Sequence, residues 1–100
     1  MTPIQQAEQL LGLARRAGKL TTGEGFVLTA IRDGSAKLVM LASDTAKNTT
    51  KTISDKSSFY EVPLSTALTR DQLSNAIGAL RSVVAVTDSG FAKKLIKLLT

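Results

Sequence analysis

Cysteine, histidine and tryptophan are all missing from the 100-residue chain. Without cysteine there is no disulfide framework. Without cysteine or histidine the usual zinc sites are gone, and so is the usual general base near neutral pH. Aromatic residues are scarce, three Phe and one Tyr, too few for a broad base-stacking platform. No apolar run approaches the ~18 residues of a membrane span, and the N-terminus has no signal-peptide core. From these absences we expect a cytoplasmic protein with no membrane attachment, no metal and no cofactor.

What is present is a globular composition. At 43% hydrophobic a chain of this length builds one domain with a core of its own. Thirteen Lys and Arg face eight Asp and Glu, for a net charge of +5. That surplus favours a polyanionic partner, although surface lysine also serves simple solubility.

Turn and cap residues divide the chain into short alternating units. Residues 2–17 read as a helix, with Thr2 and Gln5 forming a capping box, Pro3 in the first turn and Gly18 as the stop. "KL" at 19–20 reads as a very short strand. A second helix follows from a Thr21–Glu24 capping pattern to Gly34, with Val27, Ala30 and Ile31 inward. "AKLVMLA" (36–42) reads as a strand buried on both faces. The polar run from Ser43 starts as a turn and continues as a weak helix. "FYEVPL" (59–64) reads as a strand ending at Pro63. Thr69 and Gln72 cap a helix that stops at Gly78. "RSVVAVTD" (81–88) is the most strand-like run, and "SGFAKKLIKLLT" is an amphipathic last helix. Alternation of this kind predicts a central sheet with helices on both faces.

The stretch "ARRAGKLTTGEGFVLTAIRDG" (14–34) gathers glycines and cations. Gly18 and Gly23 have the separation of an NTPase phosphate loop, but Glu24 stands where the lysine belongs. A dinucleotide loop lacks its third glycine, Leu28 standing there. Both nucleotide readings fail on chemistry. Asp44, Asp55, Asp71 and Asp88 fall at expected turns or helix starts, where Asp is ordinary capping chemistry. What remains is the second helix's N-terminus, whose free N–H groups suit an anion, with Arg15, Arg16 and Lys19 expected nearby. The plain alternative is that the glycines only make turns and the arginines only complement a helix end.

The block "LLGLARRAGKLTTGEGFVLTAIRDGSAKLVMLASDTAKNT", followed by "LSNAIGALRSVVAVTDSGFAKKL", resembles the L-seven-Ae ribosomal protein family, the kink-turn RNA binders. It is most similar to the short bacterial YlxQ-like members. The resemblance implies an α/β fold, a three-layer α/β/α sandwich with a mixed four-stranded central sheet. It also implies structured RNA as partner, contacted by three regions. The first is Gly18, Lys19, Thr22, Gly23, Glu24 and Gly25; the second is Ser43, Asp44 and Lys47; the third is Gly78, Ala79, Leu80, Arg81 and Ser82. Arg15 is expected to join them through phosphate contacts. Many relatives read tandem G·A pairs with a Gly-x-Asn-Glu motif followed three residues later by Lys. Here the segment is Gly23-Glu24-Gly25-Phe26 with Thr29 at the lysine position. Phosphate contacts survive such a change more readily than base reading. Phe26 either stacks on an unpaired base or packs inside.

The sequence and its resemblance together imply a single RNA-binding domain over residues 1–100, monomeric, without catalysis, ribosome-associated and docking on kink-turn-like RNA. A protein-interaction adaptor that kept the fold and lost specific RNA binding is the alternative. An enzyme with an unrecognised carboxylate site is a third.

Overall fold

The computed structural model describes residues 1–100. Local signals start three of the helices. In α1 (Pro3–Arg16) the Thr2 hydroxyl accepts from the Gln5 amide while the Gln5 side chain accepts from the Thr2 amide. Thr69 and Gln72 repeat the arrangement at α4 (Arg70–Ile77). Asp88 caps α5 (Ser89–Leu99) by accepting from the Phe91 amide at 2.9 Å. Neither α2 (Glu24–Asp33) nor α3 (Lys47–Phe59) has a side-chain cap.

Four strands form one mixed sheet in the order β1-β4-β2-β3. They are β1 (Leu20–Thr22), β2 (Leu38–Leu41), β3 (Leu64–Ser65) and β4 (Val83–Val86). β4 is antiparallel to both β1 and β2, and β2 is parallel to β3. The central strands β2 and β4 are buried at every position. Their side chains alternate between two cores, as the pleat requires. Leu38, Met40, Val84 and Val86 pack with Ala7, Leu11, Leu73 and Leu95 from α1, α4 and α5. Val39, Leu41, Val83 and Ala85 pack with Val27, Ile31 and Ile53 from α2 and α3. Continuous apolar runs appear in the sequence because both faces are covered. The result is the expected three-layer sandwich.

Three boundaries differ from the sequence reading. The first strand is Leu20–Thr22, not residues 19–20, and the Thr21–Glu24 capping box does not form. Thr21 and Thr22 pair with Ala85 and Val84 instead, leaving Gly23 as the N-cap at φ 94°. The ladder bonds outweigh a single cap. The strand expected over 59–64 is also displaced: Phe59 ends α3, and β3 spans only Leu64–Ser65. Pro63 has no N–H for a ladder, but its carbonyl accepts from Val39 at 2.9 Å. Lastly, the polar run forms a full helix of 13 residues, held by one buried apolar side chain, Ile53, together with Ser57.

Candidate nucleic-acid interface

One end of the sheet collects the segments after β1, β2 and β3 and the segment before β4. Backbone bonds lock them together. The Gly23 amide donates to Val83, the Ala42 amide to Ser82, and the Ser43 amide to Leu68, at 3.3, 2.8 and 2.9 Å. Side chains then cross-link the loops. Arg81 Nε donates to Thr22 Oγ1 at 3.4 Å. Ser74 Oγ accepts from the Arg81 amide and donates to the Arg81 carbonyl, at 3.1 and 3.2 Å. Arg70 Nε donates to Ser82 Oγ at 3.1 Å, and the Arg70 amide donates to Asp44 Oδ1 at 2.8 Å. Thr49 Oγ1 donates to Glu24 Oε1 at 3.1 Å, joining the first turns of α2 and α3.

On this frame two large apolar side chains stand in solvent. Phe26 is 71% exposed in the first turn of α2, and Leu80 is 70% exposed in the segment before β4. Phe26 is therefore not a core residue. Beside it, Gly23 caps α2 without a side chain to accept from the first-turn amides, so they carry the partial positive charge of a helix start. Gly23 needs its lack of a side chain, because φ 94° is closed to ordinary residues. Gly25 meets nothing within 4 Å of an added Cβ, so its surroundings are open. Thr29 turns its hydroxyl back to the Gly25 carbonyl at 3.2 Å. Arg70, Arg81 and Lys47 bring positive charge to this end, and Glu24 and Asp44 bring negative charge. No group of three or more carboxylates is placed to hold a metal ion.

Most of the expected site residues meet here: Thr22, Gly23, Glu24, Gly25, Phe26, Ser43, Asp44, Lys47, Leu80, Arg81 and Ser82. Two do not. Gly18 and Lys19 lie at the other end of β1, where the Lys19 carbonyl accepts from the Thr87 amide at 2.9 Å. An extended strand of this length sets Lys19 roughly 13 Å along the chain from Gly23, so the expected adjacency of Lys19 to the α2 N-terminus is not found. Arg15 reaches across to the Ile77 carbonyl, beside the turn at Gly78 and Ala79. Arg70, Ser74 and Thr49 join the network without having been singled out from sequence. "TRDQ" announced only a cap, and nothing local ties Arg70 to Ser82, 12 residues away.

A mixed sheet between two helical layers, with its loops and an uncapped helix start converging on one end, defines an α/β scaffold built to present a surface rather than to enclose a pocket. The chain belongs to the ribosomal protein L7Ae/L30e/S12e/Gadd45 family, matching it over residues 5–96. Two relatives are the RNA-binding protein YlxQ of Enterococcus faecium and that of Bacillus subtilis (strain 168). The first is 45% identical over 95% of this chain and 92% of its own length. The second is 50% identical over 90% of this chain and 91% of its own length. Among solved structures, a Bacillus halodurans protein of unknown function superposes with a TM-score of 0.90 at 41% identity, covering 93% of this chain and 95% of that one. The Giardia lamblia 15.5kD RNA binding protein gives 0.77 at 13% identity, covering 99% of this chain and 87% of that one. The second likeness is one of fold.

Proposed function

We propose that this protein is a small, non-enzymatic, monomeric RNA-binding protein that docks on kink-turn-like structured RNA in association with the ribosome. The observation that carries the reading is the shared placement of exposed Phe26 and Leu80, Arg81 and the uncapped start of α2 at one end of the sheet. Aromatic and apolar side chains presented to solvent suit unstacked bases. Arginine and free helix amides suit phosphates. The names of the YlxQ relatives point to the same chemistry.

The test is binding to a kink-turn duplex and to a control whose G·A pairs are replaced, from about 50 to about 200 mM salt. Arg81→Ala lowers affinity for both RNAs and reduces the slope of log K against log salt by about 0.7–0.9. Phe26→Ala lowers affinity by about 1–3 kcal/mol with the slope unchanged. The double change Gly25→Asn with Phe26→Glu adds about 1–3 kcal/mol of discrimination for the kink-turn, taking the scale of one good base contact. Both positions are exposed, so this variant folds. If neither RNA binds the wild-type protein, the adaptor reading replaces this one. If both bind equally and the double variant gains nothing, the target is structured RNA other than kink-turns.

A further inference from the structure

The opposite end of the sheet holds an exposed pair of aromatic side chains. Phe59 is 77% exposed and Tyr60 40% exposed. Their rings meet edge to face, with centroids 4.9 Å apart and planes at 76°. The helix end beneath them is fixed by two bonds, from the Val62 amide to the Ser57 carbonyl at 2.8 Å and from the Glu61 amide to the Ser58 carbonyl at 3.2 Å. This closure puts Glu61 at φ 57°, the one non-glycine residue with positive φ. The rings thus stand at a helix end closed by these bonds, with Glu61 in the left-handed region.

Topology brings cations to the same end. Lys19 precedes β1 and Lys37 precedes β2; Arg32 and Lys56 stand in the last turns of α2 and α3, all exposed. Of the carboxylates there, Asp33 accepts from the Ser35 amide and Asp88 caps α5, each at 2.9 Å, while Glu61 follows the rings. Complementing the helix dipoles accounts for Arg32 and Lys56, but it does not account for two solvent-facing rings beside them.

We propose that this end is a second nucleic-acid contact, specific for single-stranded polynucleotide. Tyr60 stacks on an unpaired base while Phe59 packs edge-on against its ring, and Lys56, Lys37 and Arg32 meet the flanking phosphates, Lys19 lying at the far edge of the sheet. Two crossed rings offer a surface on the scale of one base. A stable protein interface needs a contiguous patch of ~800 Å² per partner, well beyond what two aromatic side chains supply. The sheet separates this contact from the Phe26–Arg81 end, so binding at each end stands or falls separately.

Tyr60 is the only tyrosine and tryptophan is absent, so intrinsic fluorescence reports on this site directly. The probe is an oligouridylate of about eight nucleotides, within the site sizes of single-strand binders, titrated at low salt. Stacking quenches Tyr60, and rising salt restores the signal. Arg81→Ala, at the other end, leaves the quenching intact. Lys56→Ala reduces the salt slope by about 0.7, one phosphate's share on a single strand. Phe59→Ala with Tyr60→Ala, followed by fluorescence anisotropy of labelled oligouridylate, weakens binding about five-fold or more, with an unchanged thermal midpoint showing that the fold is kept. The proposal is overturned if Tyr60 is not quenched, if Arg81→Ala abolishes the quenching, or if the double variant binds the strand as well as wild type. Self-association that only the double variant removes, with no quenching, overturns it in favour of a contact between copies.

Discussion

The guanidinium of Arg15, at the end of α1, donates to the backbone carbonyl of Ile77, 62 residues away in sequence. It satisfies a carbonyl in the last turn of α4, which would otherwise lack a partner within the helix. It thereby braces the turn from Gly78 to Ser82 that carries Leu80 and Arg81. Arg15 acts on the proposed RNA surface by holding it. Arg15→Ala is expected to destabilise the fold by about 1.5–3 kcal/mol, the scale of a hydrogen bond from a charged group. Affinity for structured RNA falls while the salt slope stays at the wild-type value, in contrast to Arg81→Ala. A slope reduced as much as by Arg81→Ala would make Arg15 a phosphate contact instead.

Glu61 sits where helices commonly place glycine. Its φ of 57° carries a steric cost of ~1–2 kcal/mol for a residue with a Cβ, partly offset by the chain entropy that glycine brings to the unfolded state. Glu61→Gly is expected to stabilise the protein by about 0.5–1 kcal/mol, raising the thermal midpoint by a few degrees. Glu61→Ala, which keeps the Cβ, gives no such gain. Calorimetry of the three proteins decides it.

Val84 and Phe59 make opposite predictions from similar chemistry. Val84 is fully buried in β4, so Val84→Ala loses burial and leaves a cavity, costing about 1–3 kcal/mol. Phe59→Ala removes a larger side chain from a mostly solvated position and shifts stability by no more than about 0.5 kcal/mol. Urea unfolding of both variants, with m-values compared to wild type, measures the difference.

The Ser35 hydroxyl, and then its backbone N–H, hold the Asp33 carboxyl below its ordinary range. A carboxyl whose pKa is lowered by folding contributes stability above the unfolded value of about 3.9 and loses it as pH falls through the lower folded value. Asp33→Ala therefore unfolds at a lower temperature than wild type near neutral pH. The two midpoints converge below the folded pKa. A gap that persists unchanged at the acid end would place the effect in the Gly34 turn instead.

What the sequence showed and what it hid divide along physical lines. Thr2–Gln5 and Thr69–Gln72 are complete within four residues, and the structure forms both. The runs at Leu38–Leu41 and Val83–Val86 announce two-sided burial without reference to anything distant. Phe59 and Tyr60 suit a strand by local preference, yet they end a helix because Pro63 has no N–H to donate to a ladder and Val62 closes back on Ser57. Lys19 falls close to Gly23 if the second helix starts at a Thr21 cap; sheet pairing of Leu20–Thr22 draws the two apart. Arg70 was invisible as a site residue because its partners, Asp44 and Ser82, are distant in sequence.

Because β2 and β4 send alternate side chains to opposite faces, the interior is two separate rooms divided by one wall. Leu11 lies on one side and Ile53 on the other. Volume lost at one is not refilled from the other, so truncations at the two positions add in their effect on stability. The layer of α1, α4 and α5 and the layer of α2 and α3 are thus free to diverge at different rates. Only residues in the wall itself answer to both.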